Sequence, residues 1–133
     1  MAKVLVFDVN ETLLDLAVLR APFDSAFGDA APLGEWFARL LHGSLVATVT
    51  DSYEDFASIG RRALDAVASR RGRKLEPAER DAILATMLEL PAHPEVPDAL
   101  RRLKGTETPI RLTTCIFRVT CDATPRREAS AGT

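Results

Sequence analysis

The chain has 133 residues, of which 47% are hydrophobic, 27% charged and 6% aromatic, and its formal net charge is −2. That length suffices for one domain with a core. A near-neutral chain projects no field to recruit nucleic acid or an anionic membrane, and so few rings form no platform for single-stranded bases. No apolar stretch approaches the ~20 residues of a membrane span. The first apolar run is too short for a signal-peptide core. Cys115 and Cys121 form neither a Cys-x-x-Cys metal pattern nor a disulfide framework, so a reducing cytoplasm is the expected compartment.

In chain order, Lys3 to Phe7 is continuous, apolar and rich in β-branched residues, the pattern of a strand buried on both faces in a parallel sheet. From about Leu13 the period becomes helical, through Leu16, Leu19, Arg20, Phe23 and Phe27, with Gly28 as a stop. Pro32 suits a first helical position, and the helix it opens runs to about Val49 with Trp36, Phe37, Leu40, Leu41 and Leu45 as one apolar stripe. A third helix is expected from Ser52 to Arg71, with Tyr53, Phe56, Ile59, Ala63, Leu64 and Val67 inward and Gly72 ending it. Pro77 opens a fourth, with Ile83, Leu84, Met87 and Leu88 inward, which stops before Pro91. A proline-rich link leads to a short helix, Asp98 to Lys104, and Pro109 to Phe117 reads as a second strand.

A strand–helix–strand crossover needs one helix, whereas this one holds several. The expected fold class is therefore α/β, an incomplete Rossmann-like core with an inserted α-helical cap. Residues 1–15 and 91–121 would form the partial core and residues 16–90 the cap, with residues 122–133 as a small, polar, disordered tail.

Asp8 ends the first apolar run, and ligands of open α/β sheets bind beyond the carboxyl ends of the strands. An ionised aspartate there is a competent covalent nucleophile, and Thr12 could hydrogen-bond it and hold the loop. The plainer reading is that Asp8 caps the helix that follows, as Asp before a helix commonly does.

Val-Phe-Asp8-Val-Asn10-Glu-Thr12-Leu-Leu-Asp resembles the first motif of the haloacid dehalogenase superfamily: apolar strand, Asp, and Thr four residues on. The order of nucleophile, helical cap and second strand is similar to members with a cap after the first strand. Trp36, Tyr53-x-x-Phe56 and Glu95-Val-Pro97-Asp-Ala-Leu-Arg-Arg-Leu-Lys resemble the type II (S)-2-haloacid dehalogenases over roughly Lys3 to Leu112. The resemblance implies Asp8 and Thr12 as catalytic residues, and Asn10, Trp36, Leu41, Phe56 and Thr114 as substrate-binding positions. For Leu41 and Phe56, ordinary helix packing is an equally good account. Asn10 stands where the superfamily's phosphatases usually carry a second Asp, and an amide cannot donate or accept a proton as that Asp does. This favours dehalogenation, with a small 2-haloalkanoate as substrate, no cofactor and no metal. A magnesium-dependent phosphatase and an inactive truncated fragment remain the alternatives. A homodimer through the cap stays open as the one protein partner.

The chain departs from the pattern at two places. Where the dehalogenases carry an Arg directly after the cap Trp, this chain has Phe37; Arg39, two residues on, points about 200° away from the Phe37 direction. Thr113-Thr114 is followed by Cys115-Ile-Phe rather than by the Asn of the second motif, and the downstream Lys and Ser/Asn/Asp positions have no counterpart. The expected reading is a C-terminally truncated member whose last residues resemble a shifted reading frame. His42 and His93 show no metal-ligand spacing and read as surface or helix polar residues. The basic stretch from Arg70 to Lys74 reads as a solvated helix end.

Overall fold

A computed structural model describes residues 4–106 and 108–113 of the chain. Strand β1, Leu5–Asp8, is followed by a tight loop and a 3-10 turn, Leu16–Leu19. Helices α1 (Arg20–Phe27), α2 (Pro32–Val49), α3 (Phe56–Arg70), α4 (Pro77–Leu88) and α5 (Val96–Lys104) come next, and strand β2, Ile110–Thr113, closes the order. The two strands pair in parallel, with Leu5 opposite Ile110 and Asp8 opposite Thr113.

Local chemistry sets the helix ends. Gly28 takes a left-handed φ of 85° and donates its N–H to the Asp24 carbonyl, as the sequence predicts. Pro32 stands in the first turn of α2. Both α2 and α3 end in the same double closure, in which two backbone N–H groups reach back to the last free carbonyls. In α3, Gly72 N donates to Ser69 O at 3.0 Å and Arg73 N to Ala68 O at 2.9 Å. In α2, Asp51 takes the left-handed position at φ 53°, and Ser52 N donates to Ala47 O at 2.9 Å. That closure moves the start of α3. The chain leaves α2 before Ser52, runs on in non-helical conformation, and begins a new helix only where the Asp55 carboxylate accepts from Ser58 N. The expected start at Ser52 is therefore four residues early. Glu76 and Glu79 form a reciprocal capping box at α4.

The core lies among the helices. Trp36, Phe23, Leu19, Leu40, Leu64, Ile83 and Val67 are each less than 2% exposed. The Phe23 and Trp36 rings lie 5.3 Å apart. Helices approach closely at glycines: a Cβ on Gly43 of α2 would stand 2.7 Å from Ile59 Cγ2 of α3, and one on Gly60 of α3 would stand 3.0 Å from Leu84 Cδ2 of α4. Ile59, Ala63, Leu64, Val67, Ile83, Leu84 and Met87 are inward as the helical period predicts.

Further expectations fail. Tyr53 precedes α3 and is 92% exposed, because the closure of α2 swings it off the helical register. Leu45 and Leu88 are also exposed. Leu45 lies on the outward face of α2, which carries apolar residues on both sides, and Leu88 ends α4 beyond the last buried turn. Strand β1 is not buried on both faces, since its Val6 is 62% exposed. The segment expected as one helix from Leu13 is a loop, a 3-10 turn and α1.

The chain enters and leaves the helical region side by side. Asp15 N donates to Pro91 O at 2.8 Å and His93 N to Leu13 O at 3.0 Å, a short antiparallel pairing of Leu14 with Ala92. Of the second expected strand, Pro109 to Phe117, Ile110–Thr113 is described; Thr114 and residues 115–117 lie outside the described residues, as do Cys115, Cys121 and the tail. No helix among the described residues is long and apolar enough to cross a membrane.

Candidate active site

Asp8 is the last residue of β1 and is partly buried. Its neighbour in the sheet register is Thr113 of β2. The loop beyond it folds back at once: Leu13 N and Leu14 N both donate to Val9 O, at 2.9 and 3.0 Å. Glu11 accommodates that reversal with a φ of 61°, a left-handed conformation uncommon for a residue with a Cβ. The reversal brings the Thr12 hydroxyl over the carboxylate, where it donates to Asp8 Oδ2 at 3.4 Å. This is a long contact that orients more than it stabilises. The plainer account of Asp8, as a helix cap, does not describe this loop. The cap of the 3-10 turn is Asp15, whose Oδ1 accepts from Ala17 N at 2.8 Å.

Beside the loop opens a cleft of about 680 Å3. Glu11 and Asp15 stand on its wall from the loop, Arg20 from α1, Gly34 and Phe37 from the first half of α2, and His93 from the returning segment.

Asp8, Asn10 and Thr12 thus lie together on the strand end and its loop, with Asn10 half-buried and bridged through its backbone to Leu14. The helical candidates lie elsewhere. Trp36 is fully buried, and its indole N–H donates to Gly60 O at 3.0 Å, so the ring is held in the helix core. Leu41 and Phe56 are half-buried and pack against that core. Phe56 also lines a different cleft, with Thr48, Asp51 and Tyr53. Thr114 lies outside the described residues.

Arg39 faces neither cleft; its Nε donates to Glu35 Oε1 at 3.1 Å on the α2–α3 groove. Among the described residues, no group of three or more His, Cys, Asp or Glu side chains is placed to hold a metal ion.

This arrangement of strand end, loop and helices recurs in solved dehalogenases. A crystal structure of a dehalogenase superposes with a TM-score of 0.72 at 25% identity, over 86% of this chain and 51% of that one. The L-2-haloacid dehalogenase of Xanthobacter autotrophicus superposes with a TM-score of 0.74 at 21% identity, over 89% of this chain and 48% of that one. A further L-2-haloacid dehalogenase gives 0.76 at 22% identity, over 85% of this chain and 52% of that one. This chain has the haloacid dehalogenase fold. It spans about half the length of the dehalogenases it matches. The Xanthobacter enzyme is also known with chloropropionic acid covalently bound. No protein-family model matches the sequence, and no curated protein matches it significantly. The likeness to the haloacid dehalogenases is therefore carried by the path of the backbone.

Proposed function

We propose that this chain carries the nucleophilic part of a hydrolytic 2-haloacid dehalogenase. The described parts of residues 1–15 and 91–121 serve as the core, and residues 16–90 as the cap over it. The observation that carries the reading is Asp8 at the carboxyl end of β1, in a fold shared with an enzyme that binds chloropropionic acid covalently. Asp8 attacks C2 of a small 2-haloalkanoate from the side opposite the halogen. A C–O bond forms, the C–halogen bond breaks, and the halide leaves with the electron pair. Water then adds to the carbonyl of the aspartyl ester. The ester breaks to release a 2-hydroxy acid of inverted configuration, Asp8 is restored as carboxylate, and one proton passes to solvent. Thr12 orients the attacking carboxylate through its hydroxyl.

The first displacement needs no proton donor, because halide is a stable anion, and this is why Asn10 is tolerable where a phosphatase requires an acid. No cofactor takes part in either step. The test is halide release from 2-chloropropionate by the 133-residue protein and by Asp8→Asn. The reading expects release by the first and none by the second. Equal release by both removes Asp8 from the chemistry, and magnesium-dependent phosphate release without halide release replaces the dehalogenase with a phosphatase.

A further inference from the structure

Helix α2 is apolar on two sides, and one of them is open. Its charged residues, Glu35 and Arg39, stand on the α3 side, where Glu35 pairs with Arg39 at 3.1 Å and with Arg70 of α3 at 3.5 Å. From Leu40 to Val49 the helix carries no Asp, Glu, Lys or Arg. At about 100° per residue, Gly34, Ala38, Leu41, Leu45 and Val49 all point within about 40° of one direction. Leu45 and Val49 on that stripe are 55% and 77% exposed, Gly34 and Ala38 are exposed, and Leu41 is half-buried. A helix with apolar residues on both sides belongs in an interior.

Gly34 is the second observation. A glycine in a helix lowers its stability by up to about 1 kcal/mol against alanine. Gly43 and Gly60 sit where neighbouring helices press close, whereas a Cβ on Gly34 would meet nothing within 4 Å. Among the described residues, no contact requires a glycine there.

The stripe is small at its amino end and large at its carboxyl end. Laid antiparallel on a copy of itself, it is complementary. Gly34 receives Val49 of the copy, Ala38 receives Leu45, and Leu41 comes to the twofold axis. A parallel pairing would set Val49 against Val49 and splay the two helices. A closed twofold dimer uses the same patch on both subunits, so self-complementarity is what it demands. The stripe carries no charge, so two copies do not repel along it. The open side of α2 offers on the order of 500 Å2 per copy, and ~1,000 Å2 for a pair meets the lower bound of a specific interface.

We propose that two copies of this chain pair through α2, antiparallel, along this stripe. Gly34 also stands on the wall of the cleft beside the Asp8 loop, so the carboxyl end of α2 from each copy borders the cleft of the other. The pairing rests on the helix face and not on dehalogenation, and either can fail alone.

Sedimentation equilibrium of the 133-residue protein should give a dimer at micromolar concentration. Leu45→Glu places a charge on the stripe and should give a monomer with an unchanged far-ultraviolet helix signal, since Leu45 is exposed. Ala38→Leu fills the small half of the stripe and should weaken the dimer roughly tenfold or more. Adding Leu45→Ala to Ala38→Leu exchanges large for small across the pair and should recover much of that loss.

A wild-type monomer overturns the proposal. If Leu45→Cys also resists maleimide in that monomer, the face belongs to residues 114–133 of the same chain. A dimer that persists in Leu45→Glu places the interface elsewhere and overturns it too. Should Leu45→Glu lose its helix signal, the Ala38→Leu pair decides. No weakening in Ala38→Leu, or no recovery in the double variant, overturns the antiparallel pairing.

Discussion

The helices bury Trp36, Phe23 and Leu40 almost completely, whereas the sheet leaves Val6 and Leu112 exposed by 62% and 53%. The helical part closes on itself through ring contacts, glycine-mediated approach of α2 to α3, and a buried indole hydrogen bond. Among the described residues the sheet has two strands of four residues each, a size that is only marginally stable without further packing. The packed core and the proposed nucleophile therefore lie in different parts of the described chain. The helices hold the structure, while the proposed nucleophile sits at the end of a strand whose Val6 is exposed. What ties the two together is the backbone pairing of Leu13–Asp15 with Pro91–His93.

If that division is right, changes at the strand end should alter catalysis without melting the protein, and changes among the helices should do the reverse. The largest effect is expected from Asp8→Asn, which removes the attacking oxygen and lowers halide release by roughly 10³-fold or more. Its melting temperature should stay near the wild-type value, and a large drop would show that the strand end is structural. Trp36→Ala should destabilise by about 3–5 kcal/mol in urea unfolding, through the cavity left in the core. Trp36→Phe removes the indole donor to Gly60 O together with part of the ring volume, and should cost less than Trp36→Ala.

Gly43→Ala should cost about 1–3 kcal/mol by forcing Ile59 away from α2. A neutral result there would mean that the two helices separate easily, and the contrast with the sheet would weaken. Thr12→Val should lower kcat less than Asp8→Asn does, and leave stability unchanged, because the contact it removes is long.

The smallest effect concerns acid. Hydrogen bonds from the Ser58 hydroxyl and then the Ser58 amide hold the Asp55 carboxyl below its usual range. A lowered folded value means that the cap stabilises α3 fully above the ordinary carboxylate range and is lost as pH falls through the lowered value. The melting-temperature gap between wild type and Asp55→Ala should be widest near neutrality and close in acid. A gap independent of pH would assign the effect to helix propensity rather than to the charge.

Much of this was legible in the residues because it depends on neighbours in sequence. Gly28 and Gly72 end helices since each takes a left-handed φ, Pro32 and Pro77 open them, and the spacing of Phe23, Leu40, Leu64 and Ile83 marks the side that meets other helices. An apolar run ending in Asp8, with Thr12 one loop away, was enough to locate the candidate nucleophile and its hydroxyl neighbour.

Other features depend on which parts of the chain meet, and periodicity does not encode that. A stripe of apolar residues cannot say that α2 is apolar on two faces and that Leu45 falls on the open one. Nor can it say that Trp36 is tied to Gly60 while Phe37, the next residue, turns to the cleft. One step along a helix rotates a side chain by about 100°, so adjacent residues enter different environments only once the neighbouring helices are in place. The placement of Arg20 on the wall of a cleft shared with Glu11 and His93 is of the same kind. It arises from segments far apart in sequence converging around one space, and only packing decides that convergence.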